Sequence, residues 1–286
     1  MHGKICLVTG GTSGIGKETA RELARLGASV VIVGRNVERA ITAVTEIQKE
    51  TGNNLIEFII ADLSSQAAIH NLADKFLASY SKLDVLINNA GKIFIHRQTS
   101  VDGIEMTFAL NHLSYFLLTQ LLINRLIFSS PSRIVNVSST AHQNTTIDFH
   151  DIECRRRYLL GIKAYRMSKL CNILFTYELA RRLKGTGVTA NALHPGVVST
   201  NLLSDNGLLG PVLTYLLKLR GVSSKQGATT SVYLATSPDV VGETGKYFDN
   251  CEPIASSEFS YDYLTANRLW TLSTNLTGAE ERSDRI

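Results

Sequence analysis

Two groups of residues in this sequence have the types and spacing that chemistry on a bound small molecule requires. Tyr165 and Lys169 stand four positions apart, so on a helix their side chains share one face. A positive charge beside a phenol lowers the pKa of the phenol and makes it a usable proton donor or acceptor. The glycine-rich segment Thr9–Gly16 directly follows the apolar run Ile5–Val8. Such a turn between a strand and a helix brings backbone N–H groups close to a phosphate.

The elements that must position these residues alternate along the chain. Short apolar runs predict strands, and longer stretches with helical periodicity predict helices. The predicted strands are Ile5–Val8, Val30–Val33, Leu55–Ile60, Val85–Ile87, Arg133–Val137 and Val188–Leu193. The predicted helices are Ile15–Leu26, Val37–Glu50, Gln66–Tyr80, Ile104–Phe128 (one helix or two) and Lys163–Leu183. Continuously apolar strands separated by helices indicate an α/β fold, with a doubly wound parallel sheet and helices on both faces.

Length and composition narrow the class of protein. With 286 residues, of which 44% are hydrophobic and 19% charged, one globular domain is expected rather than two. The net charge is +4, and the most basic run, Arg155–Arg157, is too short to indicate nucleic-acid binding. That run could instead support peripheral contact with an anionic membrane surface.

The cysteines and the apolar runs indicate the compartment. The four cysteines lack C-x-x-C spacing, so we expect no metal site and no disulfide framework, which favours a reducing compartment. A signal peptide has no room before Ile5, and no uninterrupted apolar run reaches the length of a transmembrane helix. We therefore expect a cytoplasmic protein without a transmembrane segment.

Seven short motifs lie in a fixed order along the chain. They are Thr9–Gly16, Asp62-Leu63, Asn88–Gly91, Leu110–His112, Ile134–Ser139, Tyr165–Lys169 and His194–Thr200. The set resembles the short-chain dehydrogenase/reductase family over essentially the whole chain. The glycine string alone would be a weak signal, because it reads G-x-x-x-G-x-G rather than G-x-G-x-x-G. Within the family, Asn136–His142, Leu170–Phe175 and Ala180–Gly185 look most like retinol dehydrogenases and their bacterial relatives.

The resemblance implies a single-domain Rossmann fold over residues 1–286. It places the cofactor half at about 1–150 and the catalytic and substrate half at about 151–286, with a lid at about 201–224. The implied activity is that of a nicotinamide-dependent oxidoreductase, which moves a hydride between the cofactor and a carbonyl or alcohol. Long helices form dimer faces in many relatives, so a homodimer or tetramer is implied as well.

The resemblance also implies a catalytic centre of Ser139, Tyr165 and Lys169, supported by Asn111. Tyr165 would donate a proton to the carbonyl oxygen, and Ser139 would hydrogen-bond that oxygen. Lys169 would bind the nicotinamide ribose and stabilise the phenolate, while Asn111 would hold a water near Lys169. Ser138 competes with Ser139 for its role, and the family spacing of thirteen residues before the tyrosine favours Ser139.

The cofactor contacts implied by the resemblance surround the glycine turn and the ends of the strands. They are Gly10, Thr12, Ser13, Gly14, Ile15, Gly16, Arg35, Asp62, Leu63, Asn89, Ala90, Gly91, Tyr165, Lys169, Pro195, Gly196, Val198 and Thr200. Asp62 either meets the adenine or caps the following helix. Asn89–Gly91 follows a strand at the sheet edge where α/β folds bind ligands, although a simple turn is the alternative.

The residues after the second strand predict NADP(H) as the cofactor. Gly34–Asn36 lacks the carboxylate that would bind the ribose 2′-OH of NAD. Arg35 can clamp a 2′-phosphate, unless it is simply a solvated loop cation. Some NADP-using relatives carry a second basic residue just before the middle glycine, where this chain has Ser13. Lys17 could supply charge nearby.

The leucine-rich segment Leu202–Leu219 lies over the active site in the family that the chain resembles. An apolar lid suits a large apolar substrate such as a retinal or retinol, an apocarotenal, a steroid or a long-chain aldehyde. Leu213 and Leu216 would contact that substrate together with Ser139 and Tyr165, and Ile93–Ile95 could line the same pocket. Alternatively, the leucines pack on their own core, on a partner subunit or on a membrane.

Two other functions stay open at this point. A protochlorophyllide-reductase-like enzyme would share the Tyr-Lys pair and the neighbouring Cys171-Asn172. A non-catalytic nucleotide-sensing scaffold would keep the fold alone, and the presence of Ser139, Tyr165 and Lys169 argues against it. His142 is predicted to be a loop residue rather than a triad base, because no nucleophile-elbow string accompanies it.

Overall fold

In the computed structural model, which describes residues 1–196 and 222–279, a sheet of eight strands runs through the described part of the chain. The strands are β1 (Ile5–Thr9), β2 (Ser29–Gly34), β3 (Ile56–Ile60), β4 (Val85–Asn88), β5 (Ser132–Val137), β6 (Val188–His194), β7 (Tyr247–Asp249) and β8 (Glu252–Ile254). Their order is β3-β2-β1-β4-β5-β6-β7-β8, and all neighbours are parallel except the β7–β8 pair. The six predicted strands are confirmed, and the doubly wound sheet with them.

Helices cover both faces of the sheet, as the sequence predicts. They are α1 (Gly14–Arg25), α2 (Val37–Thr51), α3 (Gln66–Ser79), α4 (Met106–Phe108), α5 (Ser114–Phe128), α6 (Ile162–Arg182), α7 (Ser224–Thr236) and α8 (Tyr263–Thr277). Successive residues of β1 point to opposite faces, so Leu7 packs in the core with α3, α5 and α6. Cys6 and Val8 pack in the other core, with α1, α2 and α7.

The predicted helical region Ile104–Phe128 contains an irregular turn. The π-helical segment Ala109–Leu113 joins α4 to α5, so the three segments form one continuous helix with a widened turn in it. The completely buried Glu105 caps the N-terminus of α4, because its side chain accepts hydrogen bonds from the N–H groups of Thr107 and Phe108. Met106–Phe128 is long and apolar enough to cross a membrane, but 78% of its most apolar window is buried inside the protein. In this fold it packs as a core helix.

Buried amides fix the carboxyl ends of the central strands. Asn88 at the end of β4 donates to Oδ1 of Asn136 on β5 (2.9 Å) and to Thr119 on α5 (3.0 Å). Asn136 in turn donates to Thr176 on α6 (2.9 Å). These bonds are shielded from water, so they hold β4, β5, α5 and α6 in one register. Because β1, β2, β4, β5 and β6 are parallel, they all end at the same edge of the sheet.

Candidate active site

A cavity of about 750 Å³ lies at the carboxyl edge of the sheet. Every predicted cofactor contact that the structure describes lines it, from the glycine turn after β1 to Pro195 and Gly196 after β6. The predicted contacts Val198 and Thr200, and the substrate residues Leu213 and Leu216, lie outside the described residues. The cavity thus brings together segments that are far apart in the sequence.

The turn after β1 has the backbone that its glycines predict. Gly10 (φ +65°) and Gly14 (φ +55°) occupy the left-handed region that favours glycine. A Cβ at Gly16 would overlap the amide nitrogen of Asn89 and the carbonyl oxygen of Gly10. Ser13 begins α1 without a side-chain capping bond, and the first turn of α1 contains no acidic residue. The first N–H groups of α1 are therefore left for an anionic ligand group.

The loop after β4 is fastened to this glycine turn. The Thr9 hydroxyl accepts hydrogen bonds from the backbone N–H groups of Asn89 (2.8 Å) and Ala90 (3.1 Å). The side-chain amide of Asn89 donates to the carbonyl oxygen of Thr9 (2.8 Å). The Asn89–Gly91 loop is consequently braced against the turn rather than being a free surface turn, and it forms part of the cavity wall.

The end of β2 presents two arginines to the cavity instead of the one that the sequence singled out. Arg35 and Arg39 are both exposed and both line it. Arg39 stands in the first turn of α2, where its backbone N–H donates to the capping side chain of Asn36 (2.8 Å). Lys17, which was expected to add charge here, pairs with Glu46 and does not line the cavity. The four-residue spacing from Arg35 is the signal that would have found Arg39.

Asp62 is exposed and carries the one carboxylate among the described lining residues. Its Oδ1 accepts hydrogen bonds from the backbone N–H (3.0 Å) and the hydroxyl (2.7 Å) of Ser64. The capping role that competed for Asp62 belongs instead to Ser65, whose hydroxyl accepts from the N–H of Ala68 (3.3 Å). The alternative interpretation of Asp62 as the cap of α3 is therefore wrong.

Ser139, Tyr165 and Lys169 meet on one wall of the cavity. The side chains of Ser139 and Tyr165 lie close enough to interact, since Ser139 acts to lower the pKa of the Tyr165 phenol. Lys169 Nζ lies 5.6 Å from the centre of the Tyr165 ring and donates to the carbonyl oxygen of Val137 (3.0 Å). The hydroxyl of Ser138, the competing serine, donates to the backbone oxygen of Lys169 (2.7 Å) and is buried. The structure thus places the Ser139 hydroxyl, and not that of Ser138, beside the phenol.

Burial dominates the acid–base properties of this trio. It raises the pKa of Tyr165 to about 12, although the hydrogen bond from Ser139 acts in the opposite direction. It also lowers the pKa of Lys169 to about 7. The expectation that Lys169 would lower the pKa of the phenol is therefore wrong for this structure, because a dry site disfavours the charged forms of both groups. Tyr165 keeps its proton at neutral pH.

Asn111 lies behind the wall rather than on it. Its side-chain amide donates to the carbonyl oxygen of Lys92 (3.0 Å) and to Ser168 Oγ (3.1 Å), and its Oδ1 accepts from the N–H of Lys92 (2.9 Å). Its backbone oxygen in the π-helical turn accepts from the side chain of Asn172 (2.9 Å). Asn111 therefore fixes the loop that follows Gly91, close to Lys169.

Further residues line the cavity that the sequence did not indicate as contacts. They include Asn36, Arg39, Ser64, Lys92, Gln98, Met106, Leu110, Thr140, Ala141 and His194. Ile93 and Phe94 line it as expected, whereas Ile95 does not, although it is buried. Met106 and Leu110 are four positions apart in the helical region, a spacing that places both on one face, and both line the cavity.

Comparison with known proteins agrees with this geometry. The family model for short chain dehydrogenase matches residues 4–207. Retinol dehydrogenase 12 from Mus musculus is 45% identical over 280 residues, which cover 98% of this chain and 88% of that protein. The crystal structure of an uncharacterized protein from Mycobacterium paratuberculosis has a TM-score of 0.79 and 32% identity, covering 98% of this chain and 95% of that one.

A short chain dehydrogenase from Burkholderia cenocepacia, solved in complex with NADP, has a TM-score of 0.67 and 26% identity. The matched region covers 86% of this chain and 96% of the Burkholderia cenocepacia chain. This chain thus shares its fold with a solved short chain dehydrogenase. This chain belongs to the short-chain dehydrogenase/reductase family of oxidoreductases and is closely related to the retinol dehydrogenases.

Proposed function

We propose that this protein is an NADP(H)-dependent oxidoreductase that interconverts a carbonyl and an alcohol on an apolar substrate. The observation that carries the proposal is that Ser139, Tyr165 and Lys169 line one cavity together with the glycine turn. Proton donor, oxygen-binding hydroxyl and phosphate-binding turn are the parts that such a reaction needs in one place.

The described residues fit the proposed cofactor. The uncapped start of α1 and the left-handed Gly10 and Gly14 suit a pyrophosphate, because no side chain intrudes there. Arg35 and Arg39 suit a 2′-phosphate, and the related dehydrogenase from Burkholderia cenocepacia was solved with NADP. Lys169, at the inner end of the cavity, would hold the nicotinamide ribose. NADP(H), when bound, supplies or accepts the hydride.

In the reductive direction Tyr165 moves its hydroxyl proton to the carbonyl oxygen of the substrate. Ser139 donates a hydrogen bond to the same oxygen and orients it. A positive charge on Lys169 would stabilise the phenolate left on Tyr165, and the developing negative charge would in turn favour the ammonium form of Lys169, whose pKa burial lowers to about 7. In the oxidative direction the phenolate takes the proton of the alcohol. Both directions thus use one hydroxyl as acid or base.

The apolar part of the cavity lining supports an apolar substrate. Ile93, Phe94, Met106 and Leu110 supply apolar side chains on this wall. Burial of substrate methylenes against them is worth about 0.8 kcal/mol each and would hold the reacting carbonyl against Tyr165. Retinal-like molecules, apocarotenals, steroids and long-chain aldehydes share this combination of an apolar body and one oxygen.

The test of the proposal is the variant Tyr165→Phe, which keeps the ring and removes the proton. We expect turnover of NADPH with retinal or decanal to fall roughly 100-fold or more, on the scale of general acid catalysis. NADPH affinity should stay close to that of the wild type. Tyr263→Phe, at an exposed tyrosine on α8, is the matched control. Wild-type turnover by Tyr165→Phe would contradict the mechanism, and NADPH binding without turnover of any carbonyl would favour the nucleotide-sensing scaffold.

A further inference from the structure

Two histidines that the mechanism does not use hold the peptide group next to Ser139. His142, expected in a loop, lies completely buried in a short 3-10 turn, and His194 at the end of β6 is 7% exposed. Nδ1 of His142 lies 2.6 Å from the carbonyl oxygen of Ser139. The backbone N–H of Thr140 donates to Nδ1 of His194 (3.3 Å). One imidazole thus contacts the oxygen, and the other the nitrogen, of the same peptide group.

The partners of each ring determine its tautomer. A carbonyl oxygen only accepts, so Nδ1 of His142 must carry the hydrogen. The backbone N–H of Ser257 donates to Nε2 of His142 (3.0 Å), so this nitrogen must be unprotonated. Because Nδ1 of His194 accepts from Thr140, that nitrogen is unprotonated as well. Both histidines therefore act as neutral rings, which agrees with the lowering of both pKa values by burial.

The anchors of these rings lie in other parts of the fold. Ser257, which holds His142, precedes the short turn Glu258–Tyr261 that leads into α8. The ring of Tyr247 on β7 packs edge-on against His142, with centroids 5.0 Å apart. His194 stands opposite Asp249 of β7 in the sheet. The loop after β5 is thereby fixed from the C-terminal part of the chain.

The opposite side of Ser139 is held by different groups. The N–H of Ser138 donates to Leu193 of β6 (2.8 Å), and the hydroxyl of Ser138 bonds to α6. The sheet therefore fixes the residue before Ser139. After Ser139 the chain leaves the strand in a short 3-10 turn, where the backbone N–H of His142 also donates to the Ser139 carbonyl oxygen (3.2 Å), and the two imidazoles add side-chain contacts to the same peptide group. A shift of this peptide group would move the Ser139 hydroxyl away from Tyr165.

We propose that His142 and His194 are positioning residues, which clamp the Ser139–Thr140 peptide group and thereby aim the Ser139 hydroxyl at the substrate oxygen. The inference rests on the proposed function, because it assigns the two rings to the serine of that mechanism. It predicts that kcat depends on the hydrogen bond from each side chain to the peptide group, and not on the presence of an imidazole ring.

Paired substitutions separate these possibilities. An asparagine amide can occupy the place of Nδ1, and a glutamine amide the place of Nε2. His142→Asn therefore keeps a donor for Ser139, whereas His142→Gln keeps only a partner for Ser257. His194→Asn keeps the acceptor for Thr140, whereas His194→Gln loses it. His70→Gln, at an exposed position on α3, is the matched control.

The experiment measures kcat and KM for retinal or decanal and the Kd of NADPH for each folded variant. We expect kcat to fall roughly 10- to 100-fold in the two glutamine variants, as misplacement of a catalytic group does. The asparagine variants should recover most of the loss, and the Kd of NADPH should not change in the His142 variants, because His142 does not line the cavity. Equal kcat for the asparagine and glutamine variants of both histidines would overturn the proposal.

Two further variants keep the test decisive. Ser257→Pro removes the N–H that holds His142, and the φ of Ser257, −65°, is one that proline adopts. If a glutamine variant does not fold, Ser257→Pro should still lower kcat, and wild-type kcat in Ser257→Pro would overturn the role of His142.

Ser139→Ala separates the clamp from the proposed function. If it is inactive while the glutamine variants are active, only the clamp is wrong, whereas an active Ser139→Ala contradicts the proposed mechanism and the clamp with it.

Discussion

We predict that this protein binds NADPH more tightly than NADH, and that replacement of Arg35 and Arg39 by alanine, singly and together, reduces or removes that difference. Both side chains line the cavity where β2 ends. Their planar guanidinium groups would bind the 2′-phosphate, which NADPH has and NADH lacks. The substitutions therefore change the affinity for one cofactor and leave the other nearly constant.

The structure sets the size of the expected effect. A hydrogen bond to a charged group contributes about 1.5–3 kcal/mol. Because Arg35 and Arg39 are both exposed, solvent screens the interaction and the lower end of that range applies. With about 1.4 kcal/mol for each factor of ten, one substitution should weaken NADPH binding roughly 10-fold and the pair roughly 100-fold. Arg35→Asp should reverse the preference, since a carboxylate repels the phosphate and accepts from a ribose hydroxyl.

The assay is a titration of each variant with NADPH and NADH at low and high salt. Arg25→Ala is the matched control, because Arg25 is a partly exposed arginine that pairs with Glu22 on α1 and does not line the cavity. The loss of NADPH affinity should shrink at high salt, where phosphate contacts are screened. If the double variant keeps the wild-type ratio of the two affinities, these arginines do not bind the 2′-phosphate and the assignment of NADP(H) loses its basis.

Three further predictions concern the turn, the core and the substrate end. Gly16→Ala should weaken NADPH binding at least roughly 10-fold with the fold intact by circular dichroism, because its Cβ would overlap Asn89 and the Gly10 oxygen; unchanged affinity would contradict the role of the turn. Burial lowers the pKa of His112 from 6.5 to about 4, so the unfolded chain binds a proton first as the pH falls. Between pH 6.5 and 4 the free energy of unfolding should drop by about 3 kcal/mol more in the wild type than in His112→Gln, and parallel urea-unfolding curves would contradict this. Finally, kcat/KM should rise up to about fourfold per methylene along a series of aldehydes, and Met106→Ser should flatten that slope; no dependence on chain length in the wild type would argue against an apolar substrate.

The sequence alone was sufficient for features that depend on nearby residues. The glycine turn could be predicted because positive φ at Gly10 and Gly14 is a property of the residues themselves. The spacing of Tyr165 and Lys169 places both on one face of α6 whatever the helix packs against. The long apolar strands could be located in the same way, whereas β7 and β8, with three residues each, are too short to form a pattern.

The tertiary structure decided what depends on burial and on distant partners. The pKa of Tyr165 rises instead of falling, because the environment that dries the phenol comes from several elements at once. The bond between Ser257 and His142 joins residues 115 positions apart, and no local pattern indicates it. Arg39 contacts the cavity only because α2 begins where β2 leaves the sheet. Dihedral preference and periodicity depend on short stretches of sequence, whereas electrostatics and positioning arise from the packing of the whole chain. For this reason the sequence indicated candidate catalytic residues but not the groups that contact them in the fold.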